Sequence, residues 1–396
     1  MDYDEPFYAG KEVQEPYFFN RINDIKELKR KITSSTPVNI ALYGQRRIGK
    51  SSILRKLRND FALSTEVIPI MIRCEIVIPK TPENFARLII NSLRHLTEDG
   101  HVFAPKNEEE ILKRVKRRRV EYELSSMDEG GRTETLKATS EFKDTIEGFN
   151  LMMDVAFELI KEIQKTNEAK LVFLMDEFQE LFSIGDDFLW ALKGYISETN
   201  ASFIVSSSHH RFYEFLASDK NKPFFNFFNL KSILGIKHAD AKKYIVERLK
   251  IVNKKINNEA LKYVLTLSEG KPFYIQLLCS EAYDILLRKQ EETINVEILK
   301  QAFDNIFISP PNHIISSFKS LEGVKTQQVF ITMCLHDLKT STDIAEKLGN
   351  ISASSVRQIL NQLERLHGII KKSRTKTNRF QVVDKFLKEW IKREYS

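Results

Sequence analysis

Two glycines, a lysine and a serine stand at fixed spacing within residues 44–51. The segment reads Gly-Gln-Arg-Arg-Ile-Gly-Lys-Ser, which is the pattern G-x-x-x-x-G-K-S. Glycine permits backbone angles that are closed to other residues, so successive N–H groups can surround a phosphate. Lys50 provides a cation for the β- and γ-phosphates, and Ser51 provides a hydroxyl for Mg²⁺. The pattern predicts a site for ATP or ADP with Mg²⁺, formed by Gly44, Gln45, Arg46, Arg47, Ile48, Gly49, Lys50, Ser51 and Ser52.

Two carboxylates follow an apolar run further along the chain. Residues 171–175 read Leu-Val-Phe-Leu-Met, and Asp176 and Glu177 come directly after them. A central strand of a parallel sheet is buried on both faces, and its carboxyl end opens onto the ligand crevice. Asp176 is therefore predicted to bind Mg²⁺ together with Ser51. Glu177 is predicted to orient or deprotonate the attacking water, which makes ATP hydrolysis the expected reaction.

Polar residues also follow a shorter apolar run at 202–205. This run ends in Ser206-Ser207-Ser208-His209-His210-Arg211. The strand beside the Asp176 strand should present a polar group to the γ-phosphate or the water, and Ser207 or Ser208 fits that position. Arg211 has two interpretations: an arginine that senses phosphate or acts across a subunit boundary, or an ordinary surface side chain.

Apolar runs alternate with helical periodicity in the first half of the chain. The runs lie at 38–43, 67–76, 170–175 and 202–206. This alternation is typical of a parallel α/β sheet with helices packed on it. Residues 99–145 interrupt the order with a run of glutamates, then lysines and arginines. We interpret this insertion either as a solvated surface helix or as a basic surface for a partner.

From about residue 230 the pattern becomes wholly helical. Ser309-Pro310-Pro311-Asn312 breaks it and marks a domain boundary. Beyond this boundary, 326–335, 341–348 and 354–367 are predicted to form three short helices. Residues 368–383 are predicted to form a hairpin, so that the C-terminal domain is a winged helix.

The formal net charge of +7 lies entirely in the C-terminal segment. Residues 324–396 hold fourteen Lys and Arg against seven Asp and Glu. A local excess of this kind indicates an anionic partner. In a winged helix the third helix would enter the DNA major groove and the basic wing would meet phosphates. The predicted DNA contacts are Arg357, Lys371, Lys372, Arg374, Lys376 and Arg379. The alternative is a domain that packs on the rest of the protein and binds no DNA.

Composition restricts the remaining possibilities. No apolar run reaches the roughly 18 residues of a membrane-spanning helix. The N-terminus, Met1-Asp2-Tyr3-Asp4-Glu5, is acidic and lacks the pattern of a secretion signal. We therefore expect a cytoplasmic protein with no membrane partner. Cys74, Cys279 and Cys334 lack metal-ligand spacing and are expected to be buried free thiols.

Four segments together resemble the archaeal ATPase family, a STAND branch of the AAA+ P-loop NTPases. They are Phe18-Phe19-Asn20-Arg21, Tyr43 to Ser51, Phe173 to Phe178, and Gly270-Lys271-Pro272-Phe273-Tyr274. The resemblance implies a helical lid whose Pro272 packs near the adenine, an Arg21 near the nucleotide, and a C-terminal winged helix. Many AAA+ motors carry an arginine sensor in the lid, where this chain has Gly-Lys-Pro, and that departure weakens the case for a processive hexameric motor.

These observations give one expected architecture and three expected functions. The fold is an AAA+-like α/β P-loop domain at 1–228, a helical lid at 229–311 and a winged-helix domain at 312–396. The main hypothesis is a Mg²⁺-dependent, slowly hydrolysing ATPase switch that acts on DNA, on a protein partner or through self-association. The alternatives are an origin-recognition-like DNA-binding protein whose nucleotide is structural, and a scaffold that exchanges nucleotide without hydrolysis.

Overall fold

The computed structural model describes residues 5–10, 13, 15–98, 146–207, 210–217, 219–321, 323–364, 369–373 and 379–396. The predicted insertion 99–145 and three predicted contact residues, Ser208, Arg374 and Lys376, lie outside these ranges.

The first domain is built on a parallel five-stranded sheet. Its strands run in the order β2-β3-β4-β1-β5, and all neighbouring pairs are parallel. The strands are β1 (Asn39–Tyr43), β2 (Val67–Arg73), β3 (Lys170–Asp176), β4 (Ala201–Ser207) and β5 (Asn229–Ser232). The order places β3, which ends in Asp176, between β2 and β4, while β1 lies on the far side of β4. The predicted α/β sheet is confirmed.

Helices cover both faces of this sheet, which is why β3 is apolar throughout. Val172 and Leu174 face a core with the first two helices, whereas Phe173 and Met175 face a core with the next four. Alternate residues of a strand point to opposite faces, so both registers of this strand must be apolar. The helices are α1 (Ile22–Ile32), α2 (Lys50–Phe61), α3 (Pro82–Glu98), α4 (Ile146–Asn167), α5 (Asp186–Glu198) and α6 (His210–Ala217).

The lid differs from its predicted limits in two respects. Strand β5 was assigned to the lid at 229, but it pairs with β1 and therefore belongs to the sheet. The lid is also not wholly helical, because β6 (Lys255–Ile256) and β7 (Thr293–Ile294) form a short parallel pair. Runs of two residues carry no periodicity that a sequence could reveal. The lid helices are α7 (His238–Ile251), α8 (Asn258–Ser268), α9 (Pro272–Arg288) and α10 (Val296–Ile306).

The C-terminal region contains the predicted helices and hairpin. Helices α11 (Asn312–Lys319), α12 (Val324–Leu335), α13 (Ser341–Leu348) and α14 (Ala353–Gln362) precede an antiparallel pair, β8 (Ile370–Lys372) and β9 (Phe380–Val382), and α15 (Lys385–Tyr395) ends the chain. Helix α14 covers the first part of the predicted 354–367, and residues 365–367 lie outside the described ranges. Lid and C-terminal region share one apolar core, which contains both Leu278 of α9 and Phe386 of α15.

Within the described ranges, no helix is both long enough and apolar enough to cross a bilayer.

Candidate functional site

A cavity of about 370 Å³ opens where the sheet, the lid and the N-terminal arm meet. Its walls come from the arm, the loop between β1 and α2, the carboxyl ends of β2 and β3, and the start of α9. A volume of this size suits a small-molecule ligand. The lining residues are Tyr8, Gly10, Val13, Arg46, Arg47, Gly49, Lys50, Ser51, Ser52, Arg73, Glu75, Asp176, Glu177, Gln179, Glu180, Pro272, Phe273, Gln276 and Ser316.

The loop of residues 44–51 joins β1 to α2, as predicted. Gly49 adopts a φ of 96°, in the left-handed region that favours glycine, and α2 begins at the next residue. Lys50 is only 5% exposed, and its Nζ donates to the carbonyl oxygens of Gly44 at 2.8 Å and Gln45 at 3.0 Å. These carbonyl oxygens hold Nζ beside the loop, and anionic phosphate oxygens could replace them as stronger acceptors.

Burial changes the acidity of Lys50. It lowers the pKa of this amine to about 8, against the opposing fields of Glu177 and Asp176. A bound polyphosphate favours the charged amine, so above pH 8 the free protein must take up a proton in order to bind.

We therefore expect ATP affinity to be constant below pH 8 and to fall by about tenfold per pH unit above it. Calorimetric titrations with ATP at pH 7, 8 and 9, in buffers of different ionisation enthalpy, would measure both the affinity and the proton uptake. Lys50→Arg is the matched control, because a guanidinium stays charged over this range. Equal affinity at pH 7 and pH 9 in the unmodified protein would contradict the prediction.

Asp176 and Glu177 lie at the predicted end of β3. Asp176 is 6% exposed, and its Oδ1 accepts hydrogen bonds from the Ser206 hydroxyl and from the Glu177 N–H. Glu177 has a left-handed backbone, with φ 50°, where the chain leaves the strand for a 3-10 helix at Phe178–Ser183. A non-glycine residue held there is strained, as is common at functional sites. The Gln179 amide donates to the Glu177 carboxylate.

The lid approaches the phosphate loop through the start of α9. A Cβ at Gly49 would lie 3.9 Å from Cγ of Pro272, and the Arg47 guanidinium lies 4.4 Å from the centre of the Phe273 ring. Gly270 permits this approach, because its φ is 73° and a Cβ there would meet the Ile236 carbonyl oxygen at 2.4 Å. Pro272 thus lines the cavity, and its predicted packing near the adenine stays a prediction.

The N-terminal arm closes another side of the cavity. Phe7 is buried in the lid core, and the Tyr8 N–H donates to Oε1 of Gln276 at 3.2 Å. Further along the arm, the Val13 N–H donates to the Ser52 hydroxyl at 3.3 Å. The arm therefore connects α9 of the lid with α2 of the sheet domain.

Three predicted site residues, Arg21, Ser207 and Arg211, are not among the described residues that line the cavity. The buried Arg21 donates from Nη2 to the Ile48 carbonyl oxygen at 2.7 Å and holds the phosphate loop from outside the cavity. Ser207 is 1% exposed at the end of β4, yet the hydroxyl that reaches Asp176 belongs to its neighbour Ser206. Arg211 lies in α6, and only its helical backbone is described.

The predicted DNA contacts that are described are not among the residues that line the cavity. Arg357 is exposed on α14, Lys371 and Lys372 are exposed on β8, and Arg379 is exposed just before β9.

Sequence reasoning missed several side chains that line the cavity. Gln179, Gln276 and Tyr8 stand in ordinary local contexts and reach the site only through tertiary packing. Arg73 and Glu75 form an ion pair at the mouth, and for Arg73 a signal was present. It ends the second strand, in register with Asp176, and carboxyl ends of parallel strands meet at one edge.

The side chains that could bind a metal here suit Mg²⁺, which needs few protein ligands, better than a metal that is held by protein ligands alone. Among the described residues, no group of three or more His, Cys, Asp or Glu side chains is placed to hold a metal. Mg²⁺ is typically held by one or two carboxylates, waters and substrate phosphates. Asp176 and Ser51 both line the cavity beside Lys50 and match that requirement.

Comparison with known proteins shows the fold. No family model matches the chain, and no curated protein matches it. A Walker-type ATPase of Pyrococcus abyssi is 15% identical, with 98% of this chain and 99% of that chain covered and a TM-score of 0.65. The ORC2 protein of Aeropyrum pernix, solved in ADPNP–ADP complexes, is 12% identical, with 98% and 97% covered and a TM-score of 0.56. The chain therefore shares the overall fold of these two proteins.

Proposed function

We propose that this protein is a Mg²⁺-dependent ATPase. The observation that carries the proposal is the meeting of Lys50, Asp176 and Glu177 in one cavity, although some 126 positions separate the lysine from the first carboxylate. A phosphate-binding cation, a metal-binding carboxylate and a second carboxylate beside it are the groups that phosphoryl transfer to water requires.

Each group has a separate task in the proposed reaction. Lys50 and the loop N–H groups bind the polyphosphate, and Asp176 with Ser51 holds the metal ion, which neutralises charge on the phosphates. Glu177 accepts a proton from the water whose oxygen bonds to the γ-phosphorus. The bond from that phosphorus to the β–γ bridging oxygen breaks, and ADP and phosphate leave.

The direct test is phosphate release from Mg·ATP by the purified full chain, with and without EDTA. Release that EDTA abolishes supports the ATPase. Tight ATP binding without release would favour the scaffold that only exchanges nucleotide.

We further propose that nucleotide state is transmitted to the C-terminal region through the segment of residues 270–274. Pro272 and Phe273 contact the phosphate loop, while the next residue, Tyr274, donates to Asp384 at 2.8 Å and stacks on Phe386 at 4.0 Å. Burial tends to raise the pKa of Asp384, but Lys271, the Leu387 N–H and Tyr274 outweigh it and lower this pKa overall. Asp384 is therefore held as an anion where the segment 270–274 meets the C-terminal region. The proposed activity is that of a STAND-type switch with slow turnover.

DNA binding by the C-terminal region is a second candidate function. It is favoured by exposed Lys371 and Lys372 on the hairpin and by the local excess of positive charge. An origin-recognition-like role would follow if the nucleotide served mainly to fix the structure. Because lid and C-terminal region share one core, truncation at the boundary would expose apolar surface, and charge substitutions are the better test.

We expect double-stranded DNA to bind with a log–log salt slope of about −4 if five basic residues contact phosphates. Replacing Lys371 and Lys372 with alanine should make that slope shallower by about 2. The matched control replaces Lys242 and Lys243, two exposed lysines of α7. Fluorescence anisotropy with a labelled duplex across a salt series measures both slopes. Equal slopes for the two double variants would leave a protein-only packing role for the hairpin.

A further inference from the structure

Gln179 has a side-chain amide that takes no part in the reaction proposed above. Its side chain lines the cavity two residues after Glu177. The turn that brings the two together is closed by a backbone hydrogen bond of 2.9 Å, donated by the Glu180 N–H to the Glu177 carbonyl oxygen. Both side chains therefore belong to the same rigid turn at the carboxyl end of β3.

The direction of the Gln179 amide follows from the chemistry of its partner. An ionised carboxylate only accepts hydrogen bonds, so the amide nitrogen must face Glu177 and the carbonyl oxygen must face away from it. That oxygen, Oε1, is buried, and within the described part of the chain no group donates to it. A buried acceptor without a donor is destabilising, so a donor group on a bound ligand would offset that cost.

We propose that Gln179 is a positioning residue for the nucleophilic water, which donates one proton to Gln179 Oε1 and the other to Glu177. This inference rests on the proposed ATPase function and adds a second acceptor to it. A water molecule has two donors, and the side chains of Glu177 and Gln179 both line the same cavity. With both donors engaged, an oxygen lone pair points toward the γ-phosphorus. The Gln179 amide nitrogen fixes the Glu177 carboxylate at the same time, so one side chain orients both the base and the water.

The test compares Gln179→Met with the unmodified chain. Methionine keeps the length and bulk of the side chain but removes both amide groups. We expect kcat for phosphate release to fall by ~10- to 100-fold, as for misplaced reacting groups, while the Kd for ATP in the presence of Mg²⁺ changes less than about twofold. Gln164→Met, on α4 and outside the cavity lining, is the matched control and should leave kcat and Kd unchanged.

A double variant separates water positioning from a structural role. If both side chains act on one water, adding Gln179→Met to Glu177→Gln should cause no further loss of rate. If the two losses of rate multiply in the double variant, the inference is wrong. It is also wrong if Gln179→Met alone leaves kcat unchanged or lowers kcat and ATP affinity equally. Each of these results would leave the proposed ATPase function intact. A wild-type chain without Mg²⁺-dependent turnover would instead reject the proposed function, and with it this inference.

Discussion

Lys50→Ala should lower the affinity for ATP by at least about 100-fold. A hydrogen bond to a charged group is worth about 1.5–3 kcal/mol, and tenfold in affinity corresponds to about 1.4 kcal/mol. This lysine is predicted to contact two phosphates, and it is the buried cation at the base of the cavity. Loss of both contacts should take binding below the range of a calorimetric titration.

Stability supplies the control for this variant. Burying Lys50 depresses its pKa, which means that the folded chain bears a cost for the charged amine. Removal of the amine relieves this cost but also removes the donor to the Gly44 and Gln45 carbonyl oxygens. The thermal unfolding temperature is therefore measured beside the affinity, and a folded variant at the binding temperature excludes unfolding as the cause of weak binding. Lys161→Ala, a more exposed lysine on α4, should bind ATP normally. Unchanged ATP affinity in Lys50→Ala would exclude the phosphate-loop assignment.

Glu177→Gln should separate binding from turnover. Glutamine has the same shape but cannot accept a proton, and general-base catalysis typically contributes ~10²- to 10⁴-fold. We therefore expect phosphate release to fall by that factor while ATP affinity changes by less than about threefold, since Lys50, Asp176 and the loop remain. Single-turnover release of labelled phosphate measures the first quantity, and competition with a fluorescent ATP analogue measures the second.

The matched control is Glu198→Gln, an exposed carboxylate at the end of α5. It carries the same charge change without access to the cavity. A Glu177→Gln chain that hydrolyses at the wild-type rate would assign the proton transfer elsewhere. Loss of both binding and turnover would instead show that this carboxylate supports the metal site.

Local patterns in the sequence predicted the sheet, the phosphate loop and the strand that ends in Asp176. The phosphate loop is contiguous and must join a buried strand to a helix, and the Asp176 strand is apolar because helices cover both faces. The residues that depend on packing were beyond these patterns. Gln276 and Tyr8 are separated by 268 positions yet share a hydrogen bond, and no periodicity links them.

The burial of β4 on both faces explains why the sequence did not identify the serine that contacts Asp176. On a strand exposed on one side, apolar alternation fixes which residues face the core, but every residue of β4 is buried. With both faces covered, the sequence has no period of two that marks the face toward Asp176. The sequence therefore favoured Ser207 or Ser208, whereas the hydroxyl that contacts Asp176 is that of Ser206.

The length of the arm that connects the lid with α2 limits how far the lid can move from the sheet domain while both ends of the arm stay bound. Its anchors are Phe7, inside the lid core, and Val13, bonded to Ser52. A chain of six residues spans at most about 20 Å when fully stretched. Any opening of the molecule beyond that length must break the Val13–Ser52 hydrogen bond or pull Phe7 out of its apolar surroundings.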